Sequence, residues 1–183
     1  MRIEQTPLQD CFIIHEKVNT DSRGYLIETF NQRDFKAATG LDIVFVQDNQ
    51  SKSSKGVLRG LHMQRGASAQ AKLVRVLAGS VLDVAVDLRK GSPSFGQHYA
   101  IELSEDNHKQ FFVPAGFAHG FVVLSETATF FYKVDKFYEP GNEVGIMYND
   151  KDLNIDWKLP ESELIFSEKD KTLGSFAEYA ASL

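Results

Sequence analysis

Short apolar runs separated by polar turn segments dominate the second half of the chain, and they predict β-strands. Turn signals recur there roughly every 8–12 residues, a spacing that is typical of a β-sandwich or barrel. The pattern therefore predicts an antiparallel double-sheet fold of the jelly-roll type, mostly β, with short flanking helices. The predicted strands in this half are 99–103, 110–113, 121–124, 129–136 and 144–148.

The first half of the chain adds further predicted strands, at 11–18, 25–30 and 44–49. The Ser- and Lys-rich segment 50–55 is expected to be a solvated loop. Segment 72–88 has two apolar runs on either side of Gly79. A glycine turn between two such runs is typical of a β-hairpin.

Helical patterns are confined to two regions. Residues 31–40 form a short predicted helix closed by Gly40, and residues 161–183 form a small helical appendage outside the sheets. The sequence contains no internal repeat, no low-complexity segment and no long polar break. With 183 residues, the chain is expected to fold as a single domain, 1–183, that buries a core without disulfides or structural metals.

The charge balance and the cysteine content limit the partners and the compartment. Twenty basic and 25 acidic residues give a net charge of -5, which argues against electrostatically driven binding to nucleic acid or to a membrane surface. Cys11 is the single cysteine, so the chain forms no intrachain disulfide, which is typical of proteins from reducing compartments. The first ten residues lack an apolar signal-peptide core, and no apolar stretch approaches the ~20 residues of a membrane span. A cytoplasmic protein is expected.

The segment 57–62, which reads VLRGLH, holds the strongest candidate chemistry. A lone histidine in a strand is more often a hydrogen-bonded core residue than a base. Arg59 favours a site for an anionic ligand, because a buried cation needs an anion and no acid lies nearby in the sequence. Residues three apart in a regular strand face opposite sides, so Arg59 and His62 share a site only if Gly60 marks a bulge or a twist.

Five further polar residues are possible members of the site, four in or beside predicted strands and one near the C-terminus. Asp83 lies inside an apolar strand and is expected to face a ligand cavity or pair with a cation, whereas Asp87 is expected on a solvated sheet face. Lys72 heads the preceding strand. Tyr132 is either a core aromatic or a phenol that acts as a general acid, which requires a cavity position. Asp170 lies in a charge run, which by itself predicts a solvated loop unless that loop docks on the histidine.

Residues 114–119 read PAGFAH and match the PxGxxH core of the second cupin motif. In metal-dependent cupins the first motif supplies an HxH pair and a carboxylate, which together hold a hard cation. Here His62 is followed by Met63 and Gln64, so the HxH pair is absent. One or two histidines without clustered carboxylates do not make a metal site, and we expect a cupin without metal.

Eight segments spread over the chain match one known family. They are DSRG at 21–24 followed by Glu28, FVQDN at 45–49, VLRGLH at 57–62, KLVR at 72–75, DVAVD at 83–87, PAGFAHGF at 114–121, FYK at 131–133 and SEKD at 167–170. Together these motifs resemble the dTDP-4-dehydrorhamnose 3,5-epimerase family over nearly the whole chain. The resemblance implies a cupin-type double-stranded β-helix, or jelly roll, that uses no cofactor and forms a homodimer with strand exchange at the N-terminus. It also implies epimerisation of dTDP-4-dehydro-6-deoxy-D-glucose at C3 and C5. Leu26 is a departure, since many members have Phe there.

The same resemblance implies roles for individual residues. His62 looks like the general base that removes a proton beside the C4 ketone, and Asp170 looks like the carboxylate that orients it. Tyr132 resembles the acid that returns a proton to the opposite face, and Lys72 the cation that stabilises the enolate oxygen. The implied substrate-binding residues are Arg23 and Arg59, as diphosphate ligands, together with Glu28, Gln47, Asn49, Asp83, His119, Tyr138 and Glu143.

Three alternatives remain open. A sibling enzyme, namely a 3-epimerase, a 5-epimerase or a 3,4-ketoisomerase, would act on a related dTDP-4-keto-6-deoxy sugar. A non-catalytic cupin that binds a sugar nucleotide would not place His62 and Tyr132 face to face across a cleft. A metal-dependent cupin oxygenase or isomerase would carry stoichiometric Fe, Mn or Zn.

Overall fold

The computed structural model describes residues 1–183 and consists mostly of short strands. The strands are β1 (Arg2–Gln5), β2 (Phe12–His15), β3 (Val18–Asp21), β4 (Gly24–Ile27), β5 (Gln47–Ser54), β6 (Leu58–Gln64), β7 (Lys72–Ala78), β8 (Ser80–Asp87), β9 (His98–Ser104), β10 (Gln110–Val113), β11 (Phe117–Val123), β12 (Thr127–Val134) and β13 (Glu143–Gly145). The helices are α1 (Gln32–Thr39) and α2 (Phe176–Ala181), with 3₁₀ turns at Gly66–Ser68, Pro140–Asn142, Glu161–Glu163 and Asp170–Thr172. None of the helices has the length and apolarity that crossing a membrane requires.

Two antiparallel sheets pack against each other and form the predicted double-sheet fold. The six-stranded sheet has the order β1-β2-β10-β7-β12-β5, and the five-stranded sheet has the order β13-β6-β11-β8-β9. Strands β3 and β4 form a separate two-stranded ribbon. Most neighbours in the two sheets are distant in sequence, as in a jelly roll. The predicted fold class is confirmed.

Alternation along the strands divides the apolar side chains among three clusters. The central cluster lies between the sheets and joins Val74 of β7 to Val81 of β8. A second cluster covers the outer face of β8 with the C-terminal segment that carries Trp157, and a third surrounds Phe35 of α1. Because β8 is covered on both faces, it is buried along almost its whole length. Both sheets contribute to the central cluster, and we propose on this basis that 1–183 is one domain.

The segment 50–55, expected as a loop, lies mostly in β5, so that expectation was wrong. β5 pairs antiparallel with β12 and forms an edge of the six-stranded sheet. Most of its residues alternate between partly buried and exposed positions, and polar side chains such as Lys52 suit an exposed edge. An edge strand of this kind buries little apolar surface, so apolar periodicity does not reveal it.

The hairpin predicted at 72–88 was also wrong, because β7 and β8 belong to different sheets. The chain turns at Gly79, which has a φ of 77°, and crosses from one sheet to the other. A Cβ at this position would lie 2.1 Å from the carbonyl oxygen of Thr127, so the turn requires glycine. The glycine signal correctly located a turn of the chain. However, β7 pairs with β10 and β12 and not with β8.

Asp87 is fully buried, contrary to the solvated position expected for it. Its carboxylate accepts hydrogen bonds from Arg89 Nε at 3.0 Å and from the hydroxyls of Ser92 and Ser94 at 2.5 and 2.6 Å. Burial raises the pKa of Asp87, but these hydrogen bonds outweigh burial and leave the pKa below its usual value. Alternation along β8 placed Asp87 on the same face as Asp83, and that face lies inside the fold.

Candidate active site

Strand β6 brings Arg59 and His62 to one side of its sheet by means of a β-bulge. His62 is the cross-strand partner of His119 in β11, and Arg59 is that of Phe121. Three residue steps on β6 therefore oppose two on β11, and the register shifts between the two pairs. Gly60, with a φ of 132°, lies in this bulge, where a Cβ would lie 2.6 Å from the backbone of β11. The predicted bulge at Gly60 is confirmed.

A cavity of about 510 Å³ opens beside this bulge. Its walls come from both sheets, through β5, β6, β7, β11 and β12, and residues 165–170 close one side. The cavity gathers more than half of the residues proposed for the site and is the natural place for a ligand. The proposed residues that line it are Asn49, Arg59, His62, Lys72, His119, Tyr132 and Asp170.

The ring of His62 is held by Asp170, which lies 108 positions later in the chain. His62 Nε2 is 2.5 Å from Asp170 Oδ1, and the other carboxylate oxygen accepts a hydrogen bond from the Ser167 hydroxyl at 2.8 Å. Asp170 is 3% exposed, so the solvated loop that its charge run alone predicted was wrong. With Nε2 bound to the carboxylate, Nδ1 is the ring nitrogen that is left to exchange a proton with a ligand.

Backbone pairing docks the segment that carries Asp170 onto the start of β6. The Leu58 N–H donates to the Ile165 carbonyl, and the Ile165 N–H donates to the Gly56 carbonyl, both at 2.9 Å. These two bonds set the register between the C-terminal segment and β6. The carboxylate therefore reaches His62 through main-chain geometry and not through side-chain length alone.

The electrostatics of the cavity favour a neutral imidazole with a cation nearby. Burial lowers the pKa of His62, and the Asp170 carboxylate opposes this shift without cancelling it. Burial also lowers the pKa of Lys72 to about 8, although the charges of Asp83 and Glu143 act to raise it. At neutral pH the histidine is therefore able to accept a proton, and the lysine is mostly an ammonium ion.

Tyr132 reaches the same cavity from the other sheet. It lies in β12, opposite Asn49 of β5 and Val74 of β7, and lines the cavity together with His62. Burial raises the pKa of its phenol, and the charge of Glu143 raises it further, so the hydroxyl keeps its proton at neutral pH. This placement on facing sheets is contrary to what the non-catalytic alternative predicts.

Asp83 is fully buried and supports His119 rather than lining the cavity. Its Oδ1 lies 2.8 Å from His119 Nε2, and its second oxygen has no hydrogen-bond partner in the chain. Its charge also acts on the ammonium of Lys72. Asp83 therefore influences the cavity through two other side chains. No group of three or more His, Cys, Asp or Glu side chains is arranged to hold a metal ion.

Known proteins are similar to this chain in sequence and in fold. The family profile described as dTDP-4-dehydrorhamnose 3,5-epimerase matches residues 5–178 of the chain. The chain belongs to this epimerase family. An epimerase is an isomerase, so the family and the enzyme class expected from the sequence are confirmed.

Relatives of this epimerase match it over nearly their whole length. A dTDP-4-dehydrorhamnose 3,5-epimerase from Shigella flexneri is 49% identical over 170 residues, which are 93% of either chain. The crystal structure of such an epimerase from Elizabethkingia anophelis is 57% identical, with a TM-score of 0.95 and 97% of each chain covered. RmlC from Legionella pneumophila, solved in complex with dTDP-4-keto-L-rhamnose, is 46% identical, with a TM-score of 0.92 over 97% of this chain and 96% of that one.

A smaller cavity of about 110 Å³ adjoins the main cavity of the epimerase. Tyr138 and Glu143 line this smaller cavity, so both lie at the site. The Glu143 carboxylate accepts hydrogen bonds from the Tyr138 hydroxyl at 2.6 Å and from Lys169 at 2.5 Å. The two cavities share the lining residues His62, Lys72 and Tyr132.

Gln47 lies behind the cavities of the epimerase and supports residues that line them. Its side chain donates to Asn49 Oδ1 at 2.9 Å and accepts from the Tyr138 N–H at 3.3 Å. Gln64 and Lys169, which were not predicted as site residues, line the smaller and the main cavity respectively. Both carry a usable signal, because Gln64 lies two positions after the histidine on the same strand face and Lys169 precedes the buried aspartate.

A single epimerase chain does not bring Arg23 or Glu28 to its own cavity. Arg23 lies in the turn of the β3–β4 ribbon, where its side chain is 87% exposed and pairs with Asp21 at 2.6 Å. Glu28 accepts a hydrogen bond from Asn31 Nδ2 at 3.2 Å, just before α1. The ribbon pairs with neither sheet, and neither Arg23 nor Glu28 lines the main or the smaller cavity.

Proposed function

We propose that the enzyme epimerises dTDP-4-dehydro-6-deoxy-D-glucose at C3 and C5 to dTDP-4-dehydro-L-rhamnose, a step of dTDP-L-rhamnose synthesis. One observation carries this proposal: a carboxylate-bound histidine and a protonated tyrosine line one cavity from opposite sheets, together with a lysine. Inversion of a carbon needs a base on one face and an acid on the other. A cytoplasmic location is part of the proposal, supported by the unpaired Cys11.

In the first half-reaction, His62 Nδ1 takes the proton from a carbon next to the ketone, and the electrons of the C–H bond form an enolate. Asp170, bound at Nε2, fixes the ring and stabilises the imidazolium that results. The Lys72 ammonium donates a hydrogen bond to the C4 oxygen, where the negative charge develops. Both neighbouring carbons are activated by this one ketone, so one set of residues serves C3 and C5.

In the second half-reaction, Tyr132 gives its phenolic proton to the opposite face of the same carbon. The enolate then returns to the ketone with that carbon inverted. The enzyme is left with one imidazolium and one tyrosinate, so the proton count balances. Transfer of one proton from imidazolium to tyrosinate through solvent restores the enzyme for the second carbon.

Arg59 is suited to the diphosphate of the substrate. Its guanidinium contacts the Ser53 hydroxyl at 3.2 Å, and no carboxylate neutralises it. A guanidinium in this state binds phosphate oxygens through two parallel hydrogen bonds. It allows a chain with a net charge of -5 to hold an anionic dTDP-sugar.

Incubation with dTDP-4-dehydro-6-deoxy-D-glucose in D₂O, followed by mass spectrometry and NMR of the sugar, tests the proposed function. Deuterium at both C3 and C5 is the expected result, because each inverted carbon takes its new hydrogen from solvent. Deuterium at one carbon would assign the protein to a single-carbon sibling activity. A sugar that binds without taking up deuterium would show that the protein binds the sugar nucleotide but does not epimerise it.

Replacing Tyr132 by phenylalanine is expected to separate proton removal from inversion. The base and the ammonium remain, so deuterium still enters the sugar, but His62 returns it to the face from which it removed hydrogen. We expect inversion to fall by about 10²- to 10³-fold, and exchange to fall much less. NMR of the sugar measures both quantities in one experiment.

Tyr179→Phe is the matched control for this substitution, because Tyr179 lies outside both cavities and its hydroxyl meets only the Leu88 carbonyl at 3.4 Å. This variant should invert the sugar at the native rate. Equal and complete loss of exchange and inversion in Tyr132→Phe would contradict separate acid and base roles. Far-UV circular dichroism would show whether either variant is misfolded.

We further propose that the enzyme is a homodimer in which the β3–β4 ribbon of each chain reaches the cavity of the other. The ribbon leaves Tyr25 and Leu26 59% and 73% exposed, and adjacent apolar side chains of this size favour a covered surface. It also carries Arg23, which in the single chain does not line the cavity that holds Arg59, the other proposed diphosphate ligand. Strand exchange would give each cavity a second guanidinium.

A mixture of Arg23→Ala and His62→Ala chains tests this arrangement. If the arginine acts in the partner's cavity, a mixed dimer has one cavity with both substitutions and one with neither. An equal mixture that assorts freely is then expected to recover about a quarter of the native epimerase activity. Mixed dimers that form, as seen by native mass spectrometry, but show no recovery would contradict donation between chains.

A further inference from the structure

Gln64 has a side chain whose donor has no partner. It lies two residues after His62 in β6, hence on the same strand face, and it is 4% exposed. Its Oε1 accepts a hydrogen bond from the Glu139 N–H at 3.1 Å. This contact fixes the orientation of the amide, because the reversed amide would set two donors against each other. The remaining atom, Nε2, is buried and has no hydrogen-bond partner.

The other donors of the smaller cavity are engaged or already have a role. The His62 ring is held by its aspartate, and the tyrosine hydroxyl at Tyr138 donates to the Glu143 carboxylate. Gln70, which also lines this cavity, donates from Nε2 to a backbone carbonyl at 2.8 Å. The ammonium and the phenol that line both cavities are free, and the proposed reaction uses them. Gln64 Nε2 is the donor that remains.

A buried donor without a partner costs free energy, which points to an acceptor that arrives with the ligand. Around the reacting carbons, the keto sugar presents the C4 oxygen, the hydroxyl on C3, and the methyl group and ring oxygen on C5. The proposed reaction pairs the Lys72 ammonium with the C4 oxygen, and a methyl group accepts no hydrogen bond. Of the two acceptors that remain, the C3 hydroxyl is the stronger, because the ring oxygen is an ether that shares its electrons with the anomeric carbon.

We propose that Gln64 is a further substrate-binding residue whose side-chain N–H donates a hydrogen bond to the C3 hydroxyl of the sugar. The inference rests on the proposed function and specifies which part of the substrate the smaller cavity recognises. This bond selects sugars with an oxygen at C3 over their 3-deoxy counterparts, because a 3-deoxy sugar leaves the buried donor unpaired. Gln64 is therefore a determinant of substrate specificity at C3 of the sugar.

Gln64→Met tests this proposal with two substrates, the dTDP-4-keto sugar and its 3-deoxy analogue. The rate of deuterium incorporation at C5 is measured for both, since both carry the same hydrogen there. We expect kcat/KM to fall about tenfold for the 3-hydroxy sugar, the effect of one lost hydrogen bond, and to change less than about twofold for the 3-deoxy analogue. The preference of the native enzyme for the 3-hydroxy sugar then shrinks by about tenfold.

Gln70→Met is the matched control, since it removes an amide from the same cavity whose nitrogen already bonds the chain. Any fall in kcat/KM in Gln70→Met should be the same for both sugars. Gln64→Glu keeps the oxygen that accepts from Glu139 but removes the donor, and it replaces the methionine variant if that variant does not fold. Equal losses with both sugars in the Gln64 variants would overturn the proposal. A native enzyme that incorporates no deuterium from either sugar would refute the proposed function itself.

Discussion

Replacing His62 by alanine is expected to lower the rate of deuterium incorporation at C3 and at C5 by roughly 10³- to 10⁴-fold. One imidazole is the proposed base for both carbons, so a single substitution removes both reactions together. The Asp170 carboxylate, 2.5 Å from this ring, also lines the cavity, but its second oxygen is bound to the Ser167 hydroxyl and its proposed role is to orient the imidazole. Mass spectrometry and NMR of the sugar after incubation in D₂O measure both carbons.

His119 provides the internal comparison for this substitution. Its imidazole lines the same cavity and is also held by a carboxylate, that of Asp83 at 2.8 Å. Because its proposed role is binding, His119→Ala should raise KM more than it slows exchange at saturating substrate. Exchange that persists at the native rate at either carbon in His62→Ala would contradict the assignment of His62 as the base. Exchange that is lost only in His119→Ala would contradict it as well.

Replacing Lys72 by methionine is expected to lower kcat by about 10²- to 10³-fold, with a much smaller change in KM. Methionine keeps an unbranched, apolar side chain of similar length and removes the charge. The C4 oxygen becomes negative only as the enolate forms, so the ammonium stabilises the transition state more than the bound ketone. Steady-state kinetics of epimerisation separate the two parameters. A loss confined to KM would contradict the proposed role.

The pH dependence gives a second test of the same residue. Burial lowers the pKa of Lys72 to about 8, so the ammonium is lost as the pH rises through about 8 and activity should fall there. Activity should also fall at acid pH, as His62 becomes protonated below a pKa that burial lowers. In Lys72→Arg the cation persists over this range, and the alkaline fall should disappear. An unchanged alkaline fall in that variant would assign it to another group.

Local sequence patterns predicted those features of the site that depend on neighbouring residues. The three-residue spacing of Arg59 and His62 around Gly60 predicted a bulge, because strand geometry fixes where each side chain points. The apolar residues on either side of Asp83 predicted that it faces a ligand cavity or pairs with a cation, and it lies buried beside His119. Resemblance to a family added the pairing of His62 with Asp170, which no local pattern shows, since the charge run around Asp170 predicts a solvated loop.

The wrong expectations concerned segments whose structure depends on residues that are distant in the sequence. The turn at Gly79 was located correctly, yet β7 and β8 enter different sheets. Asp87 was expected in solvent and is buried with Arg89. Segment 50–55 was expected as a loop and is an edge strand. In each case the outcome depends on which distant strand or side chain covers the segment, and a short window of sequence does not contain that information.

The sequence by itself therefore determined the mostly β, double-sheet class and the bulge at Gly60. These follow from alternation, turn chemistry and side-chain type, which act over a few residues. The tertiary structure alone decided that Asp170 docks on β6, that Gln64 keeps an unpaired buried donor and that Arg23 lies outside its own cavity. Those outcomes depend on contacts between segments that are remote in sequence, where burial of the whole chain selects one arrangement.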